Sequence, residues 1–75
     1  MSVFSLKVGQ CGRITAVKAR GGVAARLSAL GIVCGAEVTA LAFSLFNSSI
    51  LLGVGYTRVA VRRAVAQCIE VEVCK

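Results

Sequence analysis

From Val38 to Thr57 the chain runs for twenty residues without a charged side chain. That run constrains the fold more than any other feature, because its length alone would permit a transmembrane helix. Its interior argues otherwise. Ser44, Asn47, Ser48 and Ser49 sit near the middle and Gly53 and Gly55 near the end. A polar turn cluster between two apolar, β-branched runs reads as a β-hairpin. Strands are therefore expected over Glu37–Phe43 and Ile50–Gly53, with Leu45–Ser49 as the turn and Gly53-Val54-Gly55 as a second, tight turn.

The remaining strands follow from alternation. Arg58-Val59-Ala60-Val61-Arg62 places valines on one face and arginines on the other, and Cys68 to Cys74 places Ile69, Val71 and Val73 inward and Glu70 and Glu72 outward. Gly12 to Ala19 reads as a first strand whose alternation breaks at Ala16-Val17, where a bulge or bend is expected. Residues 1–10 read as an extended lead-in ending in a turn, and Arg63 to Gln67 as one helical turn.

One helix is expected, over Ala24–Leu30, reached through a flexible connection of Lys18, Arg20, Gly21 and Gly22. Val23, Leu27 and Leu30 recur at i, i+4 and i+7, one face of a helix. Gly31 then suits the left-handed C′ position, with Ile32 at C″ placed to touch Leu27, and Gly35 makes a further turn. The fold expected is mainly β: a small five-stranded barrel with a short helical insertion after the first strand, as one domain over 1–75. Barrel closure would leave no exposed sheet edges. Its core should hold Ile14, Val17, Leu27, Leu30, Val38, Ile50, Val59, Val61, Ile69 and Val71. A domain of 75 residues has little core to spare, and with 57% hydrophobic residues and few aromatics this one must be aliphatic.

Function is narrowed by what is missing. There is no histidine and there are only three acidic residues, Glu37, Glu70 and Glu72, so the commonest general base is absent and little remains for paired-carboxylate chemistry. No glycine-rich phosphate loop fits, because Gly53-x-Gly55 lacks a third glycine and a following helix. The expectation is a protein that is not an enzyme, with no cofactor and no small-molecule substrate. The net charge of +6 suits nucleic acid or an acidic partner, but the basic residues are scattered and stacking aromatics are scarce, which disfavours nucleic acid. Cys11, Cys34, Cys68 and Cys74 show no close C-x-x-C pair, and no signal peptide precedes them. A cytoplasmic, reducing location with free thiols is expected.

Cys68, Glu70, Glu72 and Cys74 share one face of the last strand. Residues two apart on a strand sit about 6.6 Å apart, so one metal ion cannot collect all four. Two of them plus a ligand from another strand is the arrangement that remains; the plainer reading, a polar outer face, assigns no metal ligand. A protein partner is expected to meet the rim formed by Leu45 and Phe46, an apolar pair beside a polar turn, and the outward Arg58 and Arg62.

In order along the chain, Leu6-x-x-Gly9-x-x-Gly12-x-Ile14, Arg26-Leu27-x-x-Leu30-Gly31-x-x-x-Gly35, Val59-Ala60-Val61-Arg62-Arg63 and Ala66-x-x-Ile69-x-Val71 resemble the FeoA family, the small cytosolic component of bacterial ferrous iron uptake. The resemblance implies an SH3-like barrel and a non-enzymatic accessory role beside a FeoB-like membrane iron transporter, with the membrane reached only through that partner. The chain departs from the family pattern at Cys34 and at Leu45–Ser49, where prolines are usual, and at Ala42, where a basic residue is common. Two alternatives are a small basic barrel that binds nucleic acid and a metal-responsive, iron-sensing SH3-like domain of the kind found in iron-dependent repressors.

Overall fold

The uncharged run folds back on itself. In a computed structural model describing residues 1–74, strand β2 (Glu37–Phe43) pairs antiparallel with β3 (Ser49–Val54), bringing Phe43 opposite Ile50 and Val38 opposite Val54. No helix among the described residues is long and apolar enough to cross a membrane. The expected domain 1–75 ends at Lys75, which lies outside the described residues.

Three further strands complete one antiparallel sheet in the order β4-β3-β2-β1-β5, with β1 at Cys11–Val17, β4 at Thr57–Arg62 and β5 at Ile69–Val73. Among the described residues the sheet is not closed by pairing: β4 and β5 remain its two edges. Helix α2 (Arg63–Ala66) leads from one edge strand to the other, and its Ala66 is fully buried. A helical turn therefore spans the gap where the expected closure would have put backbone hydrogen bonds. The tight turn after β3 is Gly55-Tyr56, flanked by paired Val54 and Thr57, so Gly53 and Val54 belong to the strand. Register shifts at Ile14/Ala16 and Ala40/Ala42 bend β1 and β2. The first lies just before the position where alternation breaks in the sequence.

Helix α1 covers Gly21–Ala29, starting three residues earlier than expected. Gly21, the first residue of the helix, takes φ +60°, which glycine adopts without a side-chain clash. At the other end Gly31 takes φ +89°, its N–H donates to the Ser28 carbonyl, and the Ile32 N–H donates to the Leu27 carbonyl at 2.9 Å. These are the two hydrogen bonds of a Schellman stop. Ile32 and Leu27 are both buried.

The core holds Ile14, Leu27, Val38, Ile50, Val59, Val61, Ile69 and Val71 as expected, together with Val3, Leu6, Ile32, Ala40, Leu52 and Ala66. Three assignments need correction. Leu30 is exposed, because the stop brings Ile32 against Leu27 and leaves Leu30 at the helix end. Val17 is half-buried at the end of β1. Val73 is 40% exposed, since its cross-strand partner is Gly12, which has no side chain to cover it.

The lead-in is part of the core and not merely extended chain. A 3₁₀ turn at Val3–Ser5 drops Val3 and Leu6 inside. It is tied to β5 by Val71 N–H donating to the Met1 carbonyl at 2.7 Å, and to β2 by Gly9 N–H donating to the Ala40 carbonyl at 2.7 Å. Phe4 meets Phe43 edge to face at 5.3 Å between ring centroids, and the Arg63 guanidinium lies 5.5 Å from the Phe4 ring centre.

Candidate functional site

Two surface regions carry chemistry. The first is the tip of the β2–β3 hairpin. Serines shape it: Asn47 N–H donates to the Ser44 carbonyl at 2.9 Å, Ser49 N–H donates to Ser44 Oγ at 2.8 Å, and the Ser44 and Ser48 hydroxyls are hydrogen-bonded at 2.8 Å. Phe46 and Asn47 adopt φ 62° and 55°. Asparagine tolerates that region, whereas an aromatic residue there is strained. The result is a short, hydrogen-bonded turn that leaves Leu45 79% and Phe46 89% exposed. Neither packs against the core, whereas Phe4 and Phe43 do and meet each other edge to face.

Arg62 pairs with Ser49 at the base of this tip, and both Arg58 and Arg62 point to solvent. Arg58 pairs with Gly53, four residues along β4 and so about 13 Å further down the strand. It lines a shallow groove with Cys11, Thr39, Leu41 and Tyr56. Arg62 is thus at the tip and Arg58 at the far end of the strand, so the structure divides the rim expected from sequence.

The second region is the outer face where β2, β1 and β5 run side by side. Arg13 lies opposite Glu37 on β2 and opposite Glu72 on β5. Its Nη2 donates to Glu37 Oε2 at 3.1 Å, and this contact raises the guanidinium's affinity for its proton. Two residues along, Cys11 faces Thr39 on one side, and on the other its carbonyl accepts from the Cys74 N–H at 3.0 Å. The Cys11 and Cys74 thiols share a hydrogen bond at 2.9 Å. That bond, then burial, pushes the Cys74 thiol up to about 11, so it is neutral at neutral pH. One ligand atom from each of Cys11, Glu37 and Cys74 lies within 4.8 Å of the others.

The other three polar residues of the β5 face lie elsewhere in the network. Cys68 contacts the Ala64 carbonyl at 3.6 Å, Glu70 pairs with the Met1 amino group at 3.6 Å, and Glu72 flanks Arg13. Of the four, Cys74 alone joins ligating atoms from other strands. Cys11 and Glu37 were not singled out by sequence, because no local spacing shows that position 11 faces position 74.

A family model described as the FeoA domain matches residues 1–73. No curated protein matches the chain significantly. Among solved structures, the FeoA protein of Chlorobium tepidum is 31% identical with a TM-score of 0.94, over 100% of this chain and 71% of that one. Iron(II) transport protein A of Clostridium thermocellum is 27% identical with a TM-score of 0.92, over 97% of this chain; the chain spans only 45% of that protein. The zinc complex of Stenotrophomonas maltophilia FeoA, described as a prokaryotic SH3 domain protein and a candidate ferrous iron transport activating factor, is 30% identical with a TM-score of 0.84, over 96% and 89% of the two chains.

Proposed function

Because the chain belongs to the FeoA family, which is associated with ferrous iron transport, we propose that it is an accessory of a FeoB-type iron permease and docks on that permease's cytosolic part. The family is one of transport accessories and not a known enzyme family. The description of the S. maltophilia relative as a candidate transport activating factor supports the reading. So does the scarcity of catalytic groups, with no histidine in the chain.

One observation carries the choice of surface: Phe46, the most exposed phenylalanine, sits in a strained left-handed conformation at a hydrogen-bonded tip beside Arg62. Solvent exposure gives that ring no burial energy to offset the strain, and a partner pocket would supply it. Aromatic and arginine anchors are the residue types that dominate interface energetics.

Phe46→Ser should weaken binding to the isolated cytosolic domain of the permease at least about tenfold, the lower range for an anchor residue. Its melting temperature should hold. Phe46→Gly should weaken binding equally while raising stability by up to about 1 kcal/mol, since glycine relieves the left-handed strain. Arg58→Ala, at the far end of β4, should leave binding unchanged. Binding by calorimetry and thermal melts of the three variants decide the point. Undiminished binding by both Phe46 variants would exclude the hairpin tip as the docking surface.

A further inference from the structure

We propose that Cys11, Cys74 and Glu37 form a three-ligand site for a borderline divalent transition cation of the Zn²⁺ type, with its fourth position open. The three side chains come from β1, the end of β5 and β2, and sequence separates them by up to 63 positions. Sheet register alone brings them to one spot on the outer face.

The geometry fits with little movement. Metal–sulfur bonds near 2.3 Å in tetrahedral coordination set two thiolate sulfurs about 3.8 Å apart. The thiols here stand 2.9 Å apart, so a small rotation about χ1 of either half-exposed cysteine opens the pair. The carboxylate is already within 4.8 Å of both sulfurs. Arg13 holds Glu37 Oε2 and leaves Oε1 for an ion. This is the outer-sphere contact that orients a ligating carboxylate.

Charge and softness select the class of ion. Binding of the ion displaces both thiol protons to solvent. The two thiolates and one carboxylate then carry one negative charge more than a divalent cation neutralises, and Arg13 supplies the balancing positive charge. Sulfur donors disfavour Mg²⁺ and Ca²⁺, which take oxygen ligands, and favour Zn²⁺ and its tetrahedral congeners. The face is open to solvent, so water or a partner's side chain completes four-coordination. Three protein ligands with one open position is an exchangeable arrangement and differs from a closed structural site. The proposal does not rest on the permease reading, because its residues and its readout are separate from the hairpin tip.

Co²⁺ titration of the fully reduced chain tests it. Binding should produce a thiolate-to-cobalt charge-transfer band and the intense visible band of tetrahedral Co²⁺, and Zn²⁺ should bleach both. Cys11→Ser and Cys74→Ser should lose the charge-transfer intensity and bind at least about tenfold more weakly. A double Cys34→Ser, Cys68→Ser variant should bind as the parent does. Should the serine variants fail to fold, the parent itself supplies the second measurement: with Zn²⁺ present, alkylation should spare Cys11 and Cys74 and still modify Cys34. Absence of the bands in the reduced parent overturns the proposal. So does their survival in both single variants, protection of Cys34 in place of the pair, or a Cys11–Cys74 disulfide that excess reductant fails to open.

Discussion

Leu6→Ala should lower stability by about 2–5 kcal/mol, the range for truncating a buried leucine. For a domain of this size that corresponds to a fall in melting temperature of about 10–30 °C. The upper part of the range is expected for a specific reason. Leu6 is 2% exposed, and its Cδ1 lies 3.2 Å from where a side chain on Gly12 would begin, with Val71 Cβ and Cγ2 at the same distance. Leu6 therefore occupies the room that Gly12 leaves empty. Once it is shortened, Gly12 has no atoms with which to fill the hole, so the site collapses poorly and the cavity term stays large. Val8→Ala, at a position 63% exposed, is the control and should stay within about 0.5 kcal/mol of the parent. Urea unfolding of the two variants is the measurement. A Leu6→Ala midpoint equal to that of Val8→Ala would mean that the lead-in does not belong to the cooperative core.

Gly31→Val should cost on the order of 1–3 kcal/mol, through backbone conformation more than through packing. At φ +89° a β-branched residue is strained regardless of space. Space is also tight, since a Cβ would stand 3.3 Å from Val54 Cγ1. The strain could be relieved only by giving up the stop, which would release the Ile32 N–H from Leu27 and pull Ile32 out of the core. Gly31→Asn should cost less, because asparagine tolerates the left-handed region. Equal losses for Val and Asn would shift the cause from backbone strain to the contact with Val54.

The contrast between these two positions explains what could be read beforehand. Gly31 sits in a local pattern: a helical face, a glycine, then an isoleucine, all within a few residues. Strands β4 and β5 were legible for the same reason, since alternation is a property of consecutive residues. Leu6 has no such pattern around it. It is buried because the lead-in crosses over Gly12, a contact that depends on the path of the chain. Leu30 failed in the opposite way, because its helical period was right but Ile32 came to lie against Leu27 beyond the stop. At the hairpin tip, exposure of Leu45 and Phe46 could be anticipated from their polar neighbours. The separation of Arg58 from Arg62 along β4 was implicit in strand geometry. The cysteine pair was beyond reach, because positions 11 and 74 are matched only by the register of β1 on β5.

That register also governs how the chain finds its fold. The β2–β3 and β3–β4 ladders join neighbours across short turns, whereas the β1–β5 ladder joins residues near opposite ends of the sequence. Chain entropy opposes the long closure before any contact rewards it. We therefore expect the β2–β3–β4 meander to form in the folding transition state and β5 to zip onto β1 late. Kinetically, Val71→Ala should act mainly by accelerating unfolding and Leu52→Ala by slowing folding; equal partition in a chevron analysis would refute that order. The cysteine pair would then be assembled by the last event of folding, so an ion held there would act as a latch on the step that otherwise reopens first.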